Sequence, residues 1–192
     1  MHDLPAGDRF GSRPLDALQT LDRDGRVFYV GTFSKSLFPA LRKGFVVAPG
    51  WARDALVDIK HCRDSHSDIL TQSLLAAFIR EGHLARYVRR MRVLYAGRRE
   101  ALLEGLRGDL AGWFEPVPSE AGLHLSARIV APRHARRIFS VAGDYVAGAQ
   151  STADYAMSKP VLPMLTLGYG DIDADAIRVA LREFGKALAR VR

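Results

Sequence analysis

A lysine that follows a short apolar run is the residue of this chain with the clearest chemical potential. Lys35 comes directly after the segment that begins at Tyr29, and Arg42 follows it seven residues later. A lysine amine can form a Schiff base with an aldehyde cofactor, while Thr32, Ser34 and Arg42 offer hydrogen-bond donors to a phosphate. Pyridoxal 5'-phosphate (PLP) carries both groups, so this spacing indicates a PLP site. An ordinary surface Ser-Lys pair in a loop explains the same residues, because that pair is a weak signal by itself.

Two short apolar runs flank this lysine, and each is typical of a β-strand. We predict strands over residues 27–31 and 44–48, with Pro39 stiffening the loop between them. A helix is predicted over residues 51–59. The lysine would therefore lie in a loop between two strands.

The central part of the chain has the hydrophobic spacing of helices. Apolar residues recur at helical intervals from Ser67 to Arg107, and Gly82 is expected to separate two helices. Beyond Gly108 strands and helices alternate, which favours an α/β fold. We predict strands over 113–117, 122–130, 144–147 and 161–169, and helices over 132–141 and 173–191.

Composition narrows the class of protein and its setting. The chain has 192 residues, 48% of them hydrophobic and 26% charged, as in ordinary soluble globular domains. It has no apolar run near the roughly 20 residues of a membrane span and no visible signal peptide, and Cys62 is its single cysteine. These features predict a cytoplasmic protein that does not contact a membrane. The net charge of +7 does not predict DNA binding by itself, because the basic residues are spread along long helices beside acidic ones, as on a solvated face.

The Lys35 segment and several others resemble one known family. Residues 31–45, GTFSKSLFPALRKGF, resemble the cofactor-lysine motif of the aminotransferase-like domain of MocR-type regulators, which are GntR-family proteins with a fold-type I PLP domain. Matching segments along nearly the whole chain are RPLDALQ at 13–19, DRDGRV at 22–27, QSLLAAFIREGHL at 72–84, AGLHL at 121–125 and LGY at 167–169. Ordinary class I and II aminotransferases share the same fold.

The resemblance implies an α/β fold, namely part of a fold-type I PLP-dependent transferase. Residues 1–80 would be the C-terminal part of the PLP-binding large mixed-sheet domain. Residues 81–192 would form an α+β small domain that includes a long connecting helix. Lys35 would form the internal aldimine and act in catalysis, while Thr32, Ser34 and Arg42 would hold the phosphate. No metal site is predicted.

Three functions remain open at this stage. The chain would be an aminotransferase-type enzyme acting on an amine or amino acid, an effector-sensing module of a MocR-type regulator without turnover, or an inactive fragment. The resemblance also implies a homodimer in the full-length protein and DNA binding only through an N-terminal domain that this chain lacks.

The departures from the family pattern lead to further expectations. The glycine-rich phosphate turn, the ring-stacking aromatic residue and the aspartate for the pyridine nitrogen belong to an upstream half without a clear counterpart here. We therefore expect the chain alone to bind PLP weakly or not at all. Thr166 stands where many fold-type I enzymes have an arginine for the substrate carboxylate, which argues against amino-acid transamination. Lys43 stands where an apolar residue is usual, and Tyr87 where a histidine is frequent.

Overall fold

The protein is divided into two units along the chain. The computed structural model describes residues 16–119, 122–146, 148–157 and 162–190. Its first unit comprises residues 16–90 and its second unit residues 91–190. Residues 1–15, which belong to the predicted irregular start, lie outside the described part. None of the described helices is long and apolar enough to cross a membrane.

The first unit begins with a short helix and a two-stranded ribbon. Helix α1 spans Leu18–Leu21, strand β1 Tyr29–Thr32 and strand β2 Gly44–Val47. The two strands are antiparallel, and Gly31 lies opposite Phe45. Both predicted strands are therefore confirmed, with ends shifted by one or two residues.

A carboxylate organises the turn that leads into β1. Asp22 accepts hydrogen bonds from the backbone N–H groups of Asp24, Arg26 and Val27. These bonds, that of Val27 foremost, hold the pKa of Asp22 below its usual range. Gly25 adopts φ +65°, which a glycine reaches without a steric penalty. The chain is thus directed into the ribbon by local interactions.

Three aromatic rings pack on one face of the ribbon. The Phe45 ring centroid lies 5.3 Å from that of Phe33 and 5.8 Å from that of Tyr29. A Cβ atom at Gly31 would lie 2.3 Å from the Phe45 ring, so only glycine fits beneath it. Phe33 is buried, which fixes the start of the segment that carries Lys35.

Three helices complete the first unit and lead into the second. Helix α2 spans Arg53–Asp64, helix α3 Ile69–Arg80 and helix α4 His83–Arg107. Gly82, at φ +75°, separates α3 from α4 as the sequence predicts. Asp68 caps α3 by accepting from the N–H of Thr71. Helix α4 begins in the first unit and ends in the second.

A four-stranded antiparallel sheet forms the centre of the second unit. The sheet has the order β3-β4-β6-β5, and helices α5 and α6 belong to the same unit. The elements are β3 Phe114–Pro116, β4 His124–Ile129, α5 Ala135–Tyr145, β5 Gln150–Ser151, β6 Met164–Gly168 and α6 Ala174–Ala189.

Alternating residues of the sheet form the core of the second unit. Leu125, Ala127 and Ile129 of β4 are buried, while the residues between them are more exposed. Such alternation places every second side chain on the same face, where α6 contributes Phe184 and Leu188 to the core. The alternating pattern of the sequence therefore yields a sheet with one apolar face.

One predicted strand is wrong. Residues 144 and 145 end helix α5 instead of starting a strand, and the strand of this region is Gln150–Ser151. Ile138, Ala142 and Tyr145 continue one helical face, and the Tyr145 ring packs 6.5 Å from that of Phe184. Ala147, the last residue of the predicted strand, lies outside the described residues.

Candidate cofactor site

The candidate residues lie at one short connection of the first unit. Residues 33–43, the Lys35 loop, join β1 to β2. The N–H of Phe33 donates to the carbonyl of Lys43 at 3.0 Å and closes the loop at its base. The N–H of Leu37 donates to the carbonyl of Phe33 at 2.8 Å and forms a turn around Lys35. A backbone-defined loop therefore carries the predicted lysine.

Lys35 is exposed at the centre of that turn. Within the described residues its amine has no hydrogen-bond or ion-pair partner. An exposed amine without an ion pair is accessible to a carbonyl compound, which is the chemistry the sequence predicts for it.

Arg42 has an unusual backbone conformation at the end of the loop. Its φ of +49° lies in the left-handed region, after the 3-10 helix Pro39–Leu41. Non-glycine residues rarely adopt this conformation, and such residues cluster at ligand sites. The exposed guanidinium makes no ion pair or hydrogen bond with the described residues. Its five N–H donors can therefore all serve a ligand.

The two hydroxyl residues differ in their hydrogen bonding. Thr32 Oγ1 accepts from the N–H of Ser34 at 3.1 Å and lies 3.4 Å from the carbonyl oxygen of Lys43, to which it donates. A hydroxyl has one hydrogen to donate, so Thr32 would have to release this carbonyl before donating to a phosphate. Ser34 uses only its backbone N–H in this contact. The structure thus favours Ser34 over Thr32 as a free donor.

Lys43 and Asp68, which the sequence does not predict as functional, hold the loop through an ion pair. Lys43 Nζ lies 2.9 Å from Asp68 Oδ2. The hydroxyl and N–H of Thr71 and the ammonium of Lys43 lower the pKa of Asp68 to about 2, the Thr71 hydroxyl having the largest effect. The signal in the sequence is Lys43 itself, a charge where the resembling family has an apolar residue. Tyr87, which stands where the family often has a histidine, also contacts the loop: its hydroxyl oxygen lies 3.5 Å from the carbonyl oxygen of Leu37.

The arrangement provides an amine, a guanidinium and a hydroxyl on one loop of eleven residues, 33–43. These groups can attach an aldehyde and neutralise a phosphate. Cys62 is exposed on α2, and the described residues contain no group of three or more His, Cys, Asp or Glu side chains suited to a metal ion.

Comparison with known proteins identifies the family. Residues 6–136 match the sequence profile of aminotransferase class I and II. The chain belongs to this family. The Lys35 loop falls inside the matched residues, so the predicted family is confirmed.

The curated relatives of this aminotransferase-family chain include transcription regulators. It is 34% identical over 185 residues to the probable rhizopine catabolism regulatory protein MocR of Rhizobium meliloti, covering 96% of this chain and 38% of the relative. It is 30% identical to the uncharacterized HTH-type transcriptional regulator YhdI of Bacillus subtilis, covering 94% of this chain and 39% of the relative. The chain therefore spans less than half the length of these relatives.

Solved aminotransferase structures share the fold. LysN, an alpha-aminoadipate aminotransferase from Thermus thermophilus, superimposes with a TM-score of 0.75 at 27% identity, over 95% of this chain and 48% of that one. Kynurenine aminotransferase from Pyrococcus horikoshii gives a TM-score of 0.78 at 22% identity, over 96% of this chain and 46% of that one. The prediction of a partial fold-type I transferase is thus confirmed.

Proposed function

We propose that this chain supplies the cofactor-lysine part of a PLP-binding, aminotransferase-like domain whose ligand is an amine or amino acid. The observation that carries the proposal is the Lys35 loop, in which Lys35 and Arg42 are exposed and without partners among the described residues. Membership of the aminotransferase family supports the same cofactor. The LysN structure contains a phosphopyridoxyl compound, which adds to this support.

Each residue of the loop has a distinct part in this proposal. Lys35 would attach the cofactor covalently through its amine, and Arg42 would hold the phosphate with two parallel N–H groups. Ser34 would add a neutral donor, and Thr32 would either donate to the phosphate or keep its present bond to Lys43. When bound, PLP supplies an aldehyde that condenses with primary amines and a ring that withdraws electrons.

We further propose that ligand sensing, as in a MocR-type regulator, fits this chain better than turnover. The relatives named above that match nearly the whole chain are regulators. In addition, Thr166 of β6 faces Ser126 of β4 with the two hydroxyl oxygens 3.3 Å apart. A threonine cannot form the bidentate pair with a carboxylate that an arginine provides. The structural neighbours are enzymes, so an aminotransferase remains the second candidate.

The partners of the whole protein follow from the same proposal. We propose a homodimer and DNA binding through a helix-turn-helix domain outside these 192 residues, because the relatives include HTH-type regulators. The experiment that separates sensing from turnover is incubation of the full-length protein with PLP and amino acids, followed by keto-acid analysis and DNA-binding assays. Keto-acid formation by the full-length protein would contradict the sensing role.

Reductive labelling tests the cofactor proposal directly. The full-length protein is mixed with PLP, reduced with borohydride and mapped by peptide mass spectrometry. We expect the phosphopyridoxyl label on Lys35 in excess over Lys60, an exposed lysine of α2 that serves as the internal control. Lys35→Ala should remove the excess and leave the Lys60 label unchanged. Equal labelling of Lys35 and Lys60 at every PLP concentration would contradict the proposal.

A further inference from the structure

Lys43 connects the Lys35 loop to helix α3 through its side chain. Its ammonium lies 2.9 Å from Asp68 Oδ2, and its side chain is 20% exposed. Asp68 precedes α3 and lies 25 residues further along the sequence. The ion pair therefore links the loop to the start of a helix that is distant from it in the sequence.

The backbone of the same lysine closes the loop. The carbonyl of Lys43 accepts from the N–H of Phe33 at 3.0 Å and from the hydroxyl of Thr32 at 3.4 Å. Arg42, with its left-handed backbone, directly precedes it. Any movement of Lys43 would thus displace the base of the loop and the adjacent guanidinium together.

The other end of the ion pair is held in place. Asp68 Oδ1 accepts from the N–H of Thr71 at 3.1 Å, and the carbonyl of Asp68 accepts from the N–H of Gln72 at 3.2 Å. One carboxylate therefore caps a helix with one oxygen and binds Lys43 with the other. Because the Asp68 side chain is already fixed by Thr71, it loses little further side-chain entropy when it binds Lys43.

We propose that the Lys43–Asp68 ion pair is a positioning device that fixes the Lys35 loop relative to the N-terminus of α3. The effect on loop geometry does not depend on any cofactor. The consequence for PLP, namely that Lys35 and Arg42 are held in reach of one ligand, rests on the proposed function. Lys43 and Asp68 do not contact the ligand in this proposal.

The expected effect is local. The Asp68 carboxylate is about half-exposed, so solvent screens the ion pair and its loss should leave the unfolding midpoint nearly unchanged. The loop should open more often, because its tie to α3 is lost. We expect amide exchange at Phe33 and Leu37 to become about two- to fivefold faster, the scale of a solvent-screened ion pair.

The chain offers well-matched variants for this test. Lys43→Met removes the charge but keeps the length of the side chain, and Lys43→Arg keeps the pair. Asp68→Ser removes the charge but keeps a good helix cap. Lys60→Met removes an exposed ion pair with Asp64 on α2 and is the control. Amide exchange is measured by NMR on the 192-residue chain, without PLP.

Lys43→Met and Asp68→Ser should each quicken exchange in the loop, and their combination should add nothing further. Lys43→Arg should restore rates near those of the original chain, and Lys60→Met should leave them unchanged. Unaltered exchange in both single variants would overturn the proposal, as would additive effects in the double variant. Equal quickening by Lys60→Met would overturn it as well.

Reductive labelling of the full-length protein then tests the consequence for the cofactor. Lys43→Met should lower the PLP label on Lys35 relative to Lys60, by about the same factor as the change in exchange. Faster exchange with an unchanged label would overturn the positioning of the cofactor residues. If the full-length protein without substitutions shows no preference for Lys35, the proposed function fails, while the exchange rates still decide whether the ion pair fixes the loop.

Discussion

The two units differ in how much apolar surface they bury. In the described second unit a continuous core joins the sheet to α4, α5 and α6, with Leu106, Ile138 and Phe184 almost fully buried. In the described first unit the buried residues are Phe33, Pro49, Ala52 and Leu84. The candidate chemistry thus lies in the unit with the smaller core.

The first unit also exposes large apolar side chains. Helices α2 and α3 have no buried residue, although α3 is rich in leucine and isoleucine. The exposed set includes Leu18, Leu21, Val30, Phe38, Val46, Trp51, Val57, Ile59, Ile69, Leu70 and Leu74. Since burial of apolar surface drives folding, we expect most of the stability of this chain to come from the second unit. In this chain the candidate reactive residues and the larger apolar core therefore lie in different units.

The largest expected effect comes from cutting into the core of the second unit. Phe184→Ala should lower the free energy of unfolding by about 3–5 kcal/mol. The Phe184 ring packs 5.8 Å from that of Phe114, centroid to centroid, and its removal would leave a cavity. Leu74→Ala in α3, where the side chain is 63% exposed, should change it by no more than about 0.5 kcal/mol. Urea unfolding measures both. Similar losses in the two variants would contradict the expectation that most of the stability comes from the second unit.

A smaller effect is expected from the guanidinium of the first unit. Arg42→Lys should weaken PLP binding by about 1–3 kcal/mol, because an ammonium lacks two parallel donors. PLP titration with reductive labelling measures the change.

Arg42→Gly sharpens this result by separating binding from stability. Glycine relieves the left-handed backbone at φ +49°, so this variant should lose PLP affinity yet gain up to about 1 kcal/mol of stability. Equal PLP affinity of the original chain, Arg42→Lys and Arg42→Gly would mean that Arg42 has only a structural role.

A third prediction concerns the close packing of Phe45 over Gly31 in the ribbon. Gly31→Ala would place a Cβ atom 2.3 Å from the Phe45 ring and should destabilise the first unit by about 1–3 kcal/mol. Gly97→Ala in α4, where nothing lies within 4 Å, should instead stabilise by about 0.5–1 kcal/mol. Thermal unfolding of both variants, with amide exchange of β1, tests the opposite signs. A neutral Gly31→Ala would mean that the aromatic cluster does not fix the loop.

The smallest effect is a pH dependence. The pKa of Asp68 falls from 3.8 to about 2 in the folded chain, mainly through the Thr71 hydroxyl and Lys43. The unfolded chain therefore takes up the proton first on acidification. The stabilisation is fully present above pH 3.8 and is lost as the pH falls through about 2.

Carboxyl NMR shifts of the original chain and of Lys43→Met test this dependence. The variant should raise the pKa of Asp68 towards its ordinary value. In the second unit the hydrogen bond from Lys186 lowers the pKa of Glu183 within one helix. Lys186→Met should raise that pKa without altering exchange in the Lys35 loop, and a change in the loop would contradict the local nature of both pairs.

Local patterns account for the elements that the sequence predicts correctly. The break at Gly82 follows from the preference of glycine for a positive φ, and the strand at β4 follows from the alternation at Leu125, Ala127 and Ile129. The strand predicted over 144–147 failed because Tyr145 packs on Phe184, a contact with a helix about forty residues later. No short window of sequence contains that partner.

The candidate site shows the same limit. Lys35 and Arg42 can be found from spacing and resemblance, because both lie in one short segment. The bond from Thr32 to the carbonyl of Lys43 depends on loop closure, and the ion pair to Asp68 depends on the placement of α3. Neither follows from residue types, although the unexpected charge at Lys43 indicates where to look.

Each unit contains one of the two tryptophans of the chain, and this provides a spectroscopic distinction. Trp51 is 73% exposed, with its indole N–H donating to the carbonyl of Gly25, whereas Trp113 is half-buried beside His134. A water-exposed indole emits at longer wavelength than a shielded one. Trp51→Phe would leave Trp113 to report on the sheet unit, and Trp113→Phe would leave Trp51 to report on the ribbon unit. Fluorescence of the two variants would therefore show the order in which the units unfold.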